Sequence, residues 1–310
     1  MLYVVFLVIG FAALLKGADW FVEGAAKLAG RFGIPQLVIG LTIVAMGTSL
    51  PEAAVSIQGA WKGTAGIAVG NVLGSNIFNV LVILGLTALF AALPLQRSTM
   101  LIEIPYMLVV TIAVLVLGVS GACISRWDGV ILWAMFLLYL GYLWWSVRKN
   151  KETQEQEQTQ VSILRCVVYL ILGVALIVAG SQLTVDGACG LAKMAGLSER
   201  VIGLTIVACG TSLPELVTSL VAARKDHADI AIGNIVGSNI FNILFVIGTA
   251  ALITPITFEP VFIPDAWIAF AAGVLLWLGV VRKRALSRTC GVIMLVCYGV
   301  YLVYLIGMPA

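Results

Sequence analysis

The chain reads as an all-α integral membrane protein of ten transmembrane helices, arranged as two inverted repeats of five with an ion site at the repeat interface. Three observations predict this. Of its 310 residues 61% are hydrophobic and 11% charged, and apolar runs of ~20 residues, enough to cross ~30 Å of hydrocarbon, follow one another along the sequence. Two motifs return at a fixed offset of 163 residues. VIGLTIVAMGTSLPE (38–52) reappears as VIGLTIVACGTSLPE (201–215), and GNVLGSNIFN (70–79) as GNIVGSNIFN (233–242). Finally, each copy holds five apolar runs, and an odd number makes the second copy enter the membrane from the opposite side. Such copies are related by a two-fold axis in the membrane plane, so equivalent mid-span residues meet at the centre.

The runs near 2–28, 38–60, 67–93, 101–121 and 128–147 form the first repeat, 1–147. The first run lacks the basic start of a secretory signal and is kept as a span. The second carries GTSLPE and the third GSNIFN. Between 148 and 164 lies KNKETQEQEQTQ, a Gln- and Glu-rich stretch with nothing to pack, hence a solvated linker. The runs near 165–190, 200–222, 229–253, 264–281 and 289–307 form the second repeat, 165–310, in which the seventh and eighth runs copy the second and third. Little chain remains outside the bilayer, which leaves no room for a soluble enzyme domain. Thirteen basic residues fall on one set of connections, and four (Lys62, Arg126, Lys193, Arg200) on the other, with Lys16 inside a run. This positive-inside bias puts both termini outside and the linker in the cytoplasm. The net charge of +3 is thereby explained without nucleic acid. The six cysteines form no CxxC and read as small apolar packers. His227, between Asp226 and Ala228, reads as a solvated loop histidine.

The repeated motif puts a helix breaker and a carboxylate into a greasy span. Pro51 has no N–H and its ring displaces the carbonyl four residues back, so the helix is expected to break there and free backbone oxygens. Broken backbone at membrane depth survives only when buried in protein or facing a polar cavity. Thr48 and Ser49 add hydroxyls, and Glu52 falls one turn beyond Thr48 on the same face. Ser75 with Asn79, and Ser238 with Asn242, are spaced i, i+4 and share a face. Hydroxyls in a kinked span often only re-satisfy backbone, and GxxxG-like small residues such as Gly74 and Gly237 often only pack helices. A mid-span carboxylate costs at least ~2.5–3.5 kcal/mol to insert and marks an ion path. Duplication of that carboxylate at Glu215 strengthens the ion reading. Oxygen donors of this kind suit Ca²⁺ or Na⁺ rather than soft metals. Asp19, Glu23 and Asp186 lie nearer span ends and are read as solvated.

GTSLPE and GNVLGSNIFN, duplicated and inverted, resemble the α-repeats of the cation/Ca²⁺ exchanger superfamily, specifically the prokaryotic sodium/calcium exchangers, over essentially the whole chain. The resemblance implies one central site, walled by spans 2, 3, 7 and 8, that serves Na⁺ and Ca²⁺ in turn. In it Glu52 and Glu215 bridge the ions. Thr48, Ser49, Thr211 and Ser212 supply hydroxyl or main-chain oxygens, Ala45 and Ala208 carbonyls, and Ser75, Asn79, Ser238 and Asn242 flanking polar groups. Spans 1 and 6 form the mobile pair. Several relatives, notably the potassium-dependent ones, have Asp where this chain has Asn242, which leaves two formal charges and argues against K⁺ co-transport. The linker also lacks the large Ca²⁺-sensing domains of animal relatives.

The implied activity is antiport of Ca²⁺ against Na⁺, with the two ions as transported substrates, membrane lipid as the surroundings, and no organic cofactor, nucleic acid or obligatory protein partner. Ca²⁺/H⁺ exchange stays open as the alternative, since two close carboxylates repel and one can hold a proton when no cation is present. A channel fits less well, because an inverted repeat builds an occlusion site more naturally than a pore. An intramembrane enzyme fits least, for want of HExxH, GxSxG or a membrane-embedded histidine.

Overall fold

Backbone groups inside lipid must be paired within their own segment, so an apolar chain of this kind crosses as helices. The computed structural model describes residues 2–151, 162–196 and 208–307. Helix α1 (Leu2–Phe32) turns at Gly33 into α2 (Gln36–Thr48), which meets α3 (Leu50–Trp61) at a bend of 51°. There follow α4 (Gly66–Phe90), α5 (Thr99–Gly121), α6 (Arg126–Lys151) and α7 (Ile163–Met194). A helical turn, Ala208–Gly210, precedes α8 (Leu213–Arg224), and α9 (Ala228–Ile253), α10 (Phe262–Val281) and α11 (Arg288–Gly307) complete the chain. Among the described residues eight helices are long and apolar enough to cross a bilayer, and α2 with α3 makes a ninth as one bent span. The predicted seventh run, 200–222, begins outside the described residues, and its second half is α8. Most of the stretch read as a linker, and Arg200, also lie outside them, while α6 carries on to Lys151.

Helices α4 and α9 form the centre. In their most apolar stretches 78% and 94% of residues are buried, against 22% in α1, α6, α7 and α11, which face outward. Glycine permits the closest of these contacts. A Cβ at Gly237 of α9 would stand 2.6 Å from the Leu41 carbonyl oxygen, so α2 lies backbone to backbone on α9. That is the packing reading of Gly237; at Gly74 no described atom comes within 4 Å of such a Cβ. Helices α1 and α7 form a second, peripheral unit. Gly10, Gly17 and Gly24 recur every seventh residue, as do Gly173, Gly180 and Gly187 at the 163-residue offset. The two rows face each other antiparallel. A Cβ at Gly180 would stand 2.7 Å from the Gly10 carbonyl oxygen, and one at Gly17 2.9 Å from that of Gly173. Small residues repeated on one face let two membrane helices approach this far.

Two short strand pairs tie the ends of the bundle together. Strands β1 (Leu93–Pro94) and β4 (Ala285–Leu286) pair antiparallel with Leu93 opposite Leu286, and β2 (Cys123–Ile124) pairs with β3 (Ile256–Thr257) with Ile124 opposite Ile256. Each pair joins the first half of the chain to the second. Beside them the Leu95 N–H donates to the Arg284 carbonyl at 2.9 Å, and the Phe258 N–H to the Ala122 carbonyl at 3.0 Å. All six cysteines are free. Cys166 and Cys290 are buried as expected, whereas Cys297 is exposed on the outer face of α11 and packs nothing.

Candidate cation site

The bend between α2 and α3 starts from Pro51. Ser49 leaves helical geometry at φ −83°, ψ 9°, and Pro51 lies in the first turn of α3, where a missing N–H harms nothing. Ser212 repeats this at φ −91°, ψ 6° ahead of Pro214. Because Pro214 cannot donate to Gly210, that carbonyl oxygen is free, and Ser181 of α7 donates to it at 2.9 Å. The corresponding residue of α1 is Ala18, which has no hydroxyl. Gly47 gives way to a neighbour: a Cβ there would stand 2.7 Å from Phe21 Cζ. Gly210 does the same for Val185.

The breaks present Glu52 and Glu215 in the first turns of α3 and α8, both fully buried. Each accepts a hydroxyl from the other half. Ser49 Oγ donates to Glu215 Oε1 at 2.7 Å, and Ser212 Oγ to Glu52 Oε1 at 3.3 Å. This crossed pair brings the two carboxylates to one centre, as the repeat predicts. Their backbones are held from behind. Asn71 Nδ2 donates to Ser56 Oγ and the Glu52 carbonyl at 3.0 and 3.3 Å, and Asn234 Nδ2 to Ser219 Oγ and the Glu215 carbonyl at 3.0 and 3.4 Å.

Thr48 is buried and donates to Asn234 Oδ1 at 2.9 Å, whereas Thr211 Oγ1 is buried without a partner. Ser75 and Ser238 are buried on α4 and α9. Ser238 Oγ donates to the Ala45 carbonyl at 3.4 Å, an oxygen that also takes the Ser49 N–H at 3.0 Å. Ala208 opens the helical turn before Thr211. Asn79 and Asn242 are fully buried and each begins a π-helical segment, Asn79–Leu84 and Asn242–Ile247. Such wide turns are frequent at functional sites.

Five oxygen atoms of the expected site are thus buried with no hydrogen-bond donor: Glu52 Oε2, Glu215 Oε2, Asn79 Oδ1, Asn242 Oδ1 and Thr211 Oγ1. Buried polar atoms are normally paired, so a grouped set of lone oxygens is fitted to a hard cation. No group of three or more His, Cys, Asp and Glu comes together among the described residues, and a soft-metal centre is not formed there.

Several residues were misread or passed over in the sequence. His227 is not a solvated loop histidine. It is half-buried at the start of α9, with Nδ1 3.0 Å from Gln36 Oε1, and burial followed by the nearby Lys225 ammonium pushes its imidazole below the usual range. Asp19 and Glu23 are not merely solvated either: Asp19 pairs with Lys16 and Lys225, and Glu23 with Lys27. Asp186 is exposed as expected. Asn71, Asn76, Asn234 and Asn239 stand inside the repeated motif, and their repetition was the available signal. Glu103 of α5 had no such signal. It is 2% exposed, takes the Tyr142 hydroxyl at 2.7 Å on Oε1, and leaves Oε2 without a donor.

A lipid-spanning bundle with a sealed centre of hard oxygens defines a transporter of cations. The comparisons with known proteins give the family. The sodium/calcium exchanger protein family matches residues 2–145 and 166–307. The chain is 38% identical over 305 residues to the putative antiporter CaxA of Alkalimonas amylolytica, covering 95% of each chain. It is 40% identical over 268 residues to the inner membrane protein YrbG of Escherichia coli K12, covering 82% of this chain and 81% of YrbG. It is 30% identical over 341 residues to the sodium/calcium exchanger MaX1 of Methanosarcina acetivorans, covering 96% of this chain and 97% of MaX1. A solved structure of the sodium-calcium exchanger NCX_Mj, soaked with Na⁺ and Sr²⁺, superposes with a TM-score of 0.85 at 33% identity over 97% of this chain and 98% of that one. The chain belongs to the sodium/calcium exchanger family. It is an integral membrane cation/Ca²⁺ antiporter, not an enzyme.

Proposed function

We propose that the protein exchanges Na⁺ for Ca²⁺ by alternating access at one site, whose ligands are drawn from Glu52, Glu215, Thr48, Ser49, Thr211, Ser212, Ala45, Ala208, Ser75, Asn79, Ser238 and Asn242. The observation that carries this reading is the set of lone buried oxygens, supplied in matching pairs by Glu52 with Glu215 and Asn79 with Asn242. Two carboxylates balance one Ca²⁺. Na⁺ takes the same oxygens, so the two ions displace one another, and a shared site that opens to one side at a time turns displacement into exchange. The site is set in ten spans, five from 1–147 and five inverted from 165–310, with 148–164 as a cytoplasmic linker and both termini outside. Extrusion of Ca²⁺ is the normal direction.

Exchange against H⁺ is the second reading, favoured by Glu52 Oε2 and Glu215 Oε2, either of which can take a proton when no metal is bound. Ca²⁺ flux in reconstituted vesicles, driven in separate arms by a Na⁺ gradient and by a pH gradient at clamped potential, decides between them. Flux under the pH gradient alone overturns the Na⁺ assignment and leaves the Ca²⁺ site standing.

A further inference from the structure

Four asparagines close a ring at the meeting of α4 and α9. Asn76 Nδ2 donates to the Asn239 carbonyl at 3.1 Å, and Asn239 Nδ2 to the Asn76 carbonyl at 3.2 Å. Only the nitrogen of an amide can donate to a carbonyl, so these bonds fix which way each side chain is turned. Asn239 Nδ2 also lies 3.6 Å from Met107 Sδ, a weak acceptor that is consistent with that orientation. The oxygens of Asn76 and Asn239 therefore point elsewhere, and each takes an N–H from the next amide. Asn242 Nδ2 donates to Asn76 Oδ1 at 3.3 Å, and Asn79 Nδ2 to Asn239 Oδ1 at 3.0 Å. With their nitrogens committed, Asn79 and Asn242 have one orientation left. Both Oδ1 atoms are buried and without a donor.

We infer that Asn76 and Asn239 are positioning residues for cation exchange, each setting the amide of Asn242 or Asn79 so that its oxygen, and not its NH₂, is offered to the ion. The inference rests on the proposed site. Each half of the chain orients the neutral ligand of the other half, through residues that touch no ion themselves. The need arises because an amide is not symmetric. A carboxylate offers an oxygen whichever way it turns, whereas a flipped amide presents two N–H groups to a cation and repels it. A site that holds cations with two carboxylates and two amides thus requires a device that forbids the flip. The ring is that device, and no part of it is more than 3% exposed.

The test is a double-mutant cycle read by equilibrium Ca²⁺ titration of purified protein in Na⁺-free buffer. Asn76→Ala lets Asn242 turn, and the Ca²⁺ Kd is expected to rise about tenfold, which is about 1.4 kcal/mol. In the Asn242→Asp background the same Asn76→Ala substitution is expected to leave Kd within about twofold, since the carboxylate has no wrong orientation. Asn239→Ala acts on Asn79 instead, and keeps its roughly tenfold loss in that background. Where an alanine variant does not fold, serine, too short to span the gap, replaces it with the same expectation. Equal losses from Asn76→Ala in both backgrounds, or none in either, overturn the inference. Failure of the unsubstituted protein to bind Ca²⁺ at all would instead overturn the proposed site.

Discussion

Glu215→Gln isolates charge from shape. Glu215 is fully buried and its Oε1 takes the Ser49 hydroxyl at 2.7 Å. A glutamine of the same length keeps that acceptor, so the crossed contact between the halves stays and the protein should insert and fold. What changes is the formal charge of the centre, from two negative to one. A Ca²⁺ ion there would be left with one uncompensated positive charge in a site that water does not reach. Removing one partner of a buried charge pair costs about 3–5 kcal/mol, and at ~1.4 kcal/mol per decade this predicts a loss of roughly two to three and a half orders of magnitude in Ca²⁺ affinity. Glu52→Gln should behave alike, because Glu52 holds the equivalent place with Ser212 at 3.3 Å. The assay is Ca²⁺ uptake into vesicles at matched protein insertion, with Ca²⁺ titration of the purified variants beside it. Near-normal uptake by either variant would refute the assignment of the two carboxylates to the site.

Exchange of three Na⁺ for one Ca²⁺ moves one net charge, worth ~2.3 kcal/mol per 100 mV across the membrane, so Na⁺-driven Ca²⁺ flux should change with an independently set potential; flux that ignores the potential means an electroneutral cycle. Asn242→Asp should tighten cation binding and introduce a response to K⁺, read as K⁺-dependent Ca²⁺ uptake that the unsubstituted chain lacks. In the glycine rows, Gly180→Ala forces a Cβ to within 2.7 Å of α1 backbone and should lower the unfolding midpoint by several degrees in detergent, whereas Gly141→Ala, with nothing within 4 Å, should not. Equal midpoints would mean that α1 and α7 separate freely. Glu103→Gln keeps an acceptor for the Tyr142 hydroxyl and should leave Ca²⁺ exchange within about twofold; loss of exchange in the folded variant would bring Glu103 into the ion path.

The site was legible to the extent that the chain repeats itself. GTSLPE announces a break and a carboxylate because proline and glutamate are out of place in lipid, and recurrence at 163 residues says that the two carboxylates meet. The widened turns at 79–84 and 242–247 had no such marker, since NVLVIL and NILFVI contain neither glycine nor proline and are wound by their neighbours. The asparagine ring was also hidden. Asn76 and Asn239 were visible as repeated letters, but which amide each one faces depends on how α4 crosses α9. Glycines at 10, 17 and 24 and at 173, 180 and 187 were in plain register, yet only a view of the two helices together shows them to be one seam. Asp19 and His227 were misjudged because their partners, Lys225 and Gln36, are distant in sequence.

The crossed strands carry a consequence for how such a chain arose. Leu93 meets Leu286 while Ile256, its counterpart, meets Ile124, which is the rule of an isologous interface: where one copy contributes a first residue and receives a second, the other does the reverse. Such reciprocity is what a homodimer of half-length subunits would need, each lending its strand to the other. Joining two subunits into one chain removes the requirement that both stay identical. Ser181 then caps a freed carbonyl where Ala18 cannot, and Thr48 holds Asn234 while Thr211 keeps its oxygen unengaged.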